Sequence, residues 1–195
     1  RIKTLNASQD PRYGEWIKKR AANDAIKNEQ RLSAFDEEPL ISIVVPLFKT
    51  PIAFFREMCE SVLNQTYGHF ELILVNADPE NDDLSQAVSE IAKQDARVVE
   101  KKLDGNFGIS LNTAEGIKAS KGSYVAFLDH DDTIEPNALY EYVNALNHNP
   151  ETDLFYCDED KLFPDESYGD PYLQPSSNQR DQLHLSFSHA EEKPP

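Results

Sequence analysis

Asp129, Asp131 and Asp132 follow directly on the apolar run Tyr124-Val125-Ala126-Phe127-Leu128. That run reads as a strand buried on both faces. An apolar strand ends in carboxylates only where water, a cation or hydrogen-bond donors meet them. In an open parallel α/β sheet that place is the carboxyl edge, where ligands bind. While the chain is extended, Asp129 and Asp131 point to the same side. Two hard oxygen donors converging beside a hydrophobic sheet suit Mg2+ or Mn2+. The plainer alternative is a polar turn ahead of a helix, since Pro136 stands where a helix begins.

Several other chemistries have no sequence support. The chain contains no Walker-type Gly-Lys-Ser/Thr loop, no Gly-x-Gly-x-x-Gly after a strand and no Gly-x-Ser-x-Gly elbow. Counted from Asp129, the sixth position of a calcium loop would be Ile134, where glycine is needed. The 5 histidines show no pairing at helical spacing, which argues against zinc, and His130 reads as a bystander. Cys59 and Cys157 lack metal-ligand spacing and read as buried thiols of a reducing cytoplasm.

The elements that would position the carboxylates are legible around them. The 195 residues make one domain with attachments. The β-branched run Leu40–Val45 predicts a first strand, and Pro46-Leu47-Phe48-Lys49-Thr50-Pro51 a loop. Apolar residues at helical spacing predict a helix over 52–65. Strand Phe70–Val75 leads into the polar loop Asn76–Asp83, then a helix over 84–92. Arg97–Lys101 predicts a short third strand near an edge, followed by the glycine-punctuated turn Gly105–Ser110 and a helix to Ala119. A helix over 136–146 and a strand over Asp153–Cys157, which runs into Asp158-Glu159-Asp160, complete the pattern. Strand and helix alternating in this way predict a mostly parallel sheet flanked by helices, with the polar loops gathered on one edge.

Residues 1–38 read as a helical attachment and 176–195 as a loose polar tail, which leaves 39–175 as the ligand-binding domain. Arg12–Leu32 predicts one helix with Tyr13, Trp16, Ile17 and Ala21 on a stripe, ringed by Lys18, Lys19, Arg20 and Lys27. Such a helix docks on its own domain or rests peripherally on an anionic membrane. No apolar run is long enough to span a bilayer and no signal peptide is evident, while the missing initiator Met suggests a fragment or processed form. A net charge of -16 argues against nucleic acid as a partner. It also opposes phosphate-bearing ligands, because like charges ~4 Å apart repel by about 4 kcal/mol at a protein surface. A divalent ion between carboxylates and phosphates reverses that sign.

Two family resemblances bear on these residues. Phe127-Leu128-Asp129-His130-Asp131-Asp132-Thr133-Ile134 alone is similar to the opening motif of haloacid-dehalogenase-type phosphatases, but that motif follows a first strand and here three strand–helix units precede it. A broader resemblance runs from about residue 40 to 173. Ser42-Ile43-Val44-Val45-Pro46-Leu47-Phe48, Glu60–Tyr67, Phe70–Val75, Asn106-Phe107-Gly108-Ile109-Ser110 with Asn112, and Leu128–Asp132 stand in the order found in family-2 glycosyltransferases. Tyr156–Leu162 resembles the polysaccharide-synthesis branch of that family.

The second resemblance implies a GT-A fold and an inverting transfer of sugar from a nucleotide-sugar, UDP-linked, to a glycan acceptor. It implies a nucleotide site at Pro46, Leu47, Phe48, Asn76, Asn106, Gly108, Asn112 and Asp129. Asp129 and Asp131 would hold Mn2+ or Mg2+. Two positions depart from the family's usual Tyr-Asn and Asp: Phe48-Lys49 keeps a stacking ring, and Asn76 keeps an acceptor without charge. No catalytic base is assigned, because the acceptor-binding half is absent. The alternatives that stay open are a non-catalytic nucleotide- or metal-binding remnant and an interaction domain with acidic loop ends.

Overall fold

The computed structural model describes residues 19, 21–162, 168–169 and 180–184. Four parallel strands form the central sheet: β1 (Ile41–Leu47), β2 (Phe70–Asn76), β3 (Val98–Lys102) and β4 (Tyr124–Phe127), in the order β3-β2-β1-β4. Ile41 stands opposite both Phe70 and Tyr124. β1 and β2 lie between the others and are buried on both faces, as strands rich in Val, Ile and Leu should be.

Alternation along β1 divides the core between the two faces. Ile43, Val45 and Leu47 join Leu72 and Leu74 beneath α2 (Ile52–Leu63), α3 (Asp82–Gln94) and α5 (Ala138–His148). Val44 joins Ile73 and Val75 on the other face, where α4 (Ile109–Ala119) packs. Gly116 makes that close packing possible: a Cβ there would overlap Val44 Cγ1 and lie 2.9 Å from Val75 Cγ2. At the opposite edge of the sheet, Ser42 Oγ donates to Glu71 Oε1 (2.6 Å), which also accepts Lys121 N (2.6 Å), and this fixes the entry to β4.

Four expectations are corrected. β4 is an edge strand of the described sheet and only half-buried, with Phe127 60% exposed, because β1 is its one described ladder partner. The helix expected over 12–32 is interrupted before Asp24: Asn23 is extended and its side chain accepts Ile26 N (3.0 Å), which starts a new helix, α1 (Asp24–Leu32). Tyr13, Trp16 and Ile17 lie outside the described residues. Asp153–Cys157 is not a strand; it finds no ladder and instead lays Phe155 against Tyr124 and Tyr142, with centroids at 6.3 and 5.7 Å. Pairing begins at Asp158, in a second sheet of β5 (Thr133–Ile134), β6 (Asp158–Leu162), β7 (Tyr168–Gly169) and β8 (Arg180–His184), ordered β5-β8-β6-β7. β8 falls within the segment read as a loose tail, where Leu183 and Leu185 already alternate.

α1 docks on the domain rather than standing free: Thr66 Oγ1 donates to Gln30 Oε1 (3.0 Å). Among the described residues no helix is long and apolar enough to cross a membrane.

Candidate nucleotide and cation site

Parallel strands bring the ends of β1, β2, β3 and β4 to one edge. Leu47 stands beside Asn76 and Asn76 beside Lys102, and backbone bonds carry the contact into the loops. Ala77 N donates to the Leu47 carbonyl (3.0 Å), Leu103 N to that of Asn76 (2.9 Å) and Leu128 N to that of Val44 (3.3 Å). The four loops that carry the predicted residues are therefore neighbours.

In the first loop Pro46 and Phe48 are half-buried, whereas the Leu47 side chain is wholly in the core, so only its backbone could serve a ligand. Lys49 takes φ 52, the left-handed region, and its ammonium lies 5.3 Å from the Phe48 ring centroid. Asp78 Oδ2 accepts Lys49 N (3.1 Å) and so fastens the first loop to the second. Thr50 Oγ1 is buried without a hydrogen-bond partner. Such local strain gathers where a backbone is shaped for a task.

Asn76 is 2% exposed and already engaged. Its oxygen accepts Asp78 N (3.0 Å) and its amide donates to Ser85 Oγ (3.0 Å). It shapes the second loop rather than reaching out of it. Asn112, also buried, does the same for the third: Oδ1 accepts Phe107 N (3.2 Å) and Nδ2 donates to Asn106 Oδ1 (2.8 Å). Asn106 Oδ1 also accepts Gly108 N (2.9 Å), and Gly108, at φ 86, turns the chain into α4. Only glycine takes this conformation freely, and the bare backbone leaves room for close approach.

The Asp129–Asp132 loop has a different character. Asp129 is exposed and the Asp131 side chain is 47% exposed. Neither meets Lys or Arg among the described residues, and the His130 ring lies 4.0 Å from Asp131. No group of three or more metal-binding side chains forms among the described residues. Two exposed carboxylates without a dedicated cage are the donor set that Mg2+ or Mn2+ uses when substrate phosphates complete the shell. The residues present fit such a cation.

Sequence reasoning missed the residues that hold these loops. Gln65 and Ser61, at the end of α2, bond to residues 134–139 just beyond the carboxylates. Their place in Glu60–Tyr67 was visible as a motif, but not what they touch. Also unforeseen is a hollow of about 390 Å3 along β4, lined by Tyr124, Phe127, Leu128, Tyr142, Phe155 and Tyr156 among others. Burial and a hydrogen bond with Cys157 push the Tyr142 hydroxyl well above its ordinary range.

A parallel sheet with helices on both faces and polar loops on its carboxyl edge is an α/β domain of the GT-A kind. The profile of "Glycosyl transferase family 2" matches residues 42–184, and the chain belongs to that family. It is 33% identical over 171 residues to the uncharacterised protein y4gI of Sinorhizobium fredii, covering 87% of this chain and 18% of that protein. It is 30% identical over 163 residues to the O-antigen biosynthesis protein RfbC of Myxococcus xanthus, covering 84% of this chain and 13% of that one. The chain thus spans less than a fifth of the length of these two relatives. Among solved structures it resembles S. aureus TarS 1-349 in complex with UDP, with TM-score 0.51 and 21% identity, covering 56% of this chain and 32% of that one. It also resembles the mannosyltransferase PcManGT of Pyrobaculum calidifontis with GDP-Man and Mn2+, with TM-score 0.50 and 16% identity, covering 62% and 37%.

Proposed function

We propose that this chain is the donor-binding part of an inverting glycosyltransferase that moves a sugar from a nucleotide-sugar, UDP-linked, to a polysaccharide or cell-surface glycan. The observation that carries this is the meeting, on one sheet edge, of the Phe48 loop with a carboxylate pair that has no Lys or Arg partner among the described residues. TarS has been solved with UDP and with UDP-GlcNAc, and PcManGT with GDP-Man and Mn2+, which supports the donor class and the cation.

On this reading the Phe48 ring stacks on the base, and the backbone of Pro46 and Leu47 lines its edge. The Asn106–Asn112 turn presents the start of α4 to the nucleotide, where bare N–H groups favour negative charge. Asp129 meets the ribose, and Asp129 with Asp131 would hold Mn2+ or Mg2+. When bound, the cation neutralises charge on the departing nucleoside diphosphate. The acceptor oxygen attacks the anomeric carbon from the face opposite the diphosphate. The carbon–phosphate-oxygen bond breaks, and the hydroxyl proton passes to a carboxylate base supplied with the acceptor site. Cys59 and Cys157, both thiols rather than disulfide sulfurs, suit the reducing cytoplasm, and the basic N-terminal segment suits an anionic inner membrane face.

The test is calorimetric titration of UDP into the chain with and without Mn2+. Binding that requires Mn2+ is expected; no binding under either condition by folded protein overturns the reading. Metal-dependent binding without sugar transfer to any glycan would favour a nucleotide-binding module, the alternative that a chain spanning 18% and 13% of its two relatives keeps open.

A further inference from the structure

The Asp129–Asp131 loop is anchored on its far side by side chains in the last turn of α2 and just beyond it. Gln65 is 5% exposed; its Nε2 donates to the Ser61 carbonyl (3.0 Å) and to the Glu135 carbonyl (2.7 Å), and its Oε1 accepts Leu139 N (3.0 Å). Beside it Thr66 N donates to the Pro136 carbonyl (2.8 Å), and Ser61 Oγ accepts Ile134 N (3.2 Å). Gln65 therefore bonds to backbone on both sides of Pro136, across the turn that leads into α5. On its near side the loop is fixed by the strand ladder, through Leu128 N and the Val44 carbonyl (3.3 Å). Between these anchors lie a backbone turn, Asp132 N to the Asp129 carbonyl (3.2 Å), and the start of β5, where Thr133 stands opposite Gln182 of β8.

A carboxamide is suited to this task. It donates and accepts at once, so one buried side chain gives Leu139 N its acceptor and the Glu135 carbonyl, which also accepts Ala138 N (2.9 Å), a second donor. The bonds to Glu135 and Leu139 belong neither to α2, which ends at Leu63, nor to the central sheet.

We infer that Gln65 is a positioning residue for the Asp129–Asp131 pair, with Ser61 acting beside it. This rests on the reading of those carboxylates as cation holders. Groups that orient metal ligands from behind change metal affinity by about 10- to 100-fold when removed. Gln65 would act in that way through the backbone of its loop.

The test compares wild type with Gln65→Met, which keeps length and burial but loses all three side-chain bonds, and with Ser61→Ala and Ser61→Thr. Amide hydrogen exchange of the ligand-free chain is read over 129–139, and UDP affinity is read by calorimetry with and without Mn2+. Gln65→Met is expected to speed exchange over 129–139 while 41–47 and 70–76 keep their protection. It should raise the Kd for UDP by about 10- to 100-fold with Mn2+ and leave affinity without Mn2+ unchanged. Ser61→Ala should move both readouts the same way by less, and Ser61→Thr, which keeps the hydroxyl, should restore them. A folded Gln65→Met with wild-type Mn2+-dependent affinity overturns the positioning role alone; if that variant does not fold, Ser61→Ala decides in its place. Equal weakening with and without Mn2+ overturns it too, because a merely structural role would move both. Wild-type affinity indifferent to Mn2+ would instead overturn the cation reading, and the positioning role with it, whatever the exchange pattern.

Discussion

Gly116→Ala sets two opposing effects against each other, and the structure decides their sign. In an exposed helix the change gains about 1 kcal/mol, because glycine loses more backbone freedom on folding. At 116 the added methyl would overlap Val44 Cγ1 and lie 2.9 Å from Val75 Cγ2. Ordinary carbon contacts fall at about 3.5–4.0 Å, so α4 must retreat by about 1 Å. Val44 and Val75 are fully buried and β-branched, on the two central strands, so they have few rotamers through which to give way. Overpacking of this kind costs about 1–3 kcal/mol, and the balance should be a net loss of about 1–2 kcal/mol. The retreat also moves the Asn106–Asn112 turn at the start of α4, so UDP affinity should fall with stability. Urea unfolding measures the first effect and calorimetry the second. Gly105→Ala is the control: nothing lies within 4 Å of its Cβ, and it should be neutral or slightly stabilising. A Gly116→Ala midpoint above wild type would refute the close helix–sheet contact.

Asp131→Asn should abolish Mn2+-dependent UDP binding with the unfolding midpoint unchanged; intact affinity would sink the cation assignment. Without Mn2+, removing a negative charge should leave UDP binding equal or slightly better, since like charges repel. Asn76→Ala should destabilise the fold by about 1–3 kcal/mol, because Asp78 N loses its acceptor; an unchanged midpoint would show that Asn76 is free to face a ligand. Lys49→Gly should raise stability by about 1 kcal/mol by relieving a left-handed backbone, and an unchanged or lower urea midpoint would count against strain there. Hydrogen bonds from Arg97 hold the Asp95 carboxyl below its usual range, so its contribution is present above the unfolded value and lost as pH falls through the folded one. Burial pushes Glu135 the other way: its penalty sets in as pH rises above the ordinary carboxyl value. Glu135→Gln should therefore raise the unfolding midpoint at neutral pH and not in acid, and equal shifts at both would contradict that sign.

What was legible in the sequence was whatever repeats with period or punctuation. β1 and β2 announced themselves as β-branched runs, and α2 and α3 as apolar spacing on one face. Parallel topology then sufficed to gather the loops. What was not legible depended on partners distant in sequence. Burial of β4 on both faces was inferred from its apolar residues, yet burial belongs to neighbours, and β4 has one in the described sheet. Asp153–Cys157 has strand composition but pairs with no described strand; its aromatic packs and its backbone does not pair. Asn76 and Asn112, expected from the sequence at the nucleotide, stand at the end of β2 and in the first turn of α4, but a sequence does not say whether an amide turns outward to a ligand or inward to its own chain. Here both turn inward.

That inward turn separates the edge into two kinds of surface. The loops after β1, β2 and β3 have their buried amides satisfied by their own chain, so on the proposed reading they would meet a ligand through a ring at Phe48 and through backbone at Gly108. Rigid surfaces of this kind recognise shape and lose little entropy on binding. The carboxylates of Asp129 and Asp131 are open to solvent by contrast, held in place from both ends but with no Lys or Arg partner among the described residues. Two carboxylates that give one oxygen each fill a minority of an octahedral shell, leaving the rest to water or phosphate oxygens. A cation alone should therefore bind weakly, and a nucleotide alone should meet uncompensated negative charge. Each makes the site that the other lacks, so by linkage the gain in UDP affinity from Mn2+ must equal the gain in Mn2+ affinity from UDP. Measuring both sides of that cycle separates a shared site from two independent ones. A metal that binds as tightly without UDP as with it would mean that Asp129 and Asp131 do not share their cation with the nucleotide.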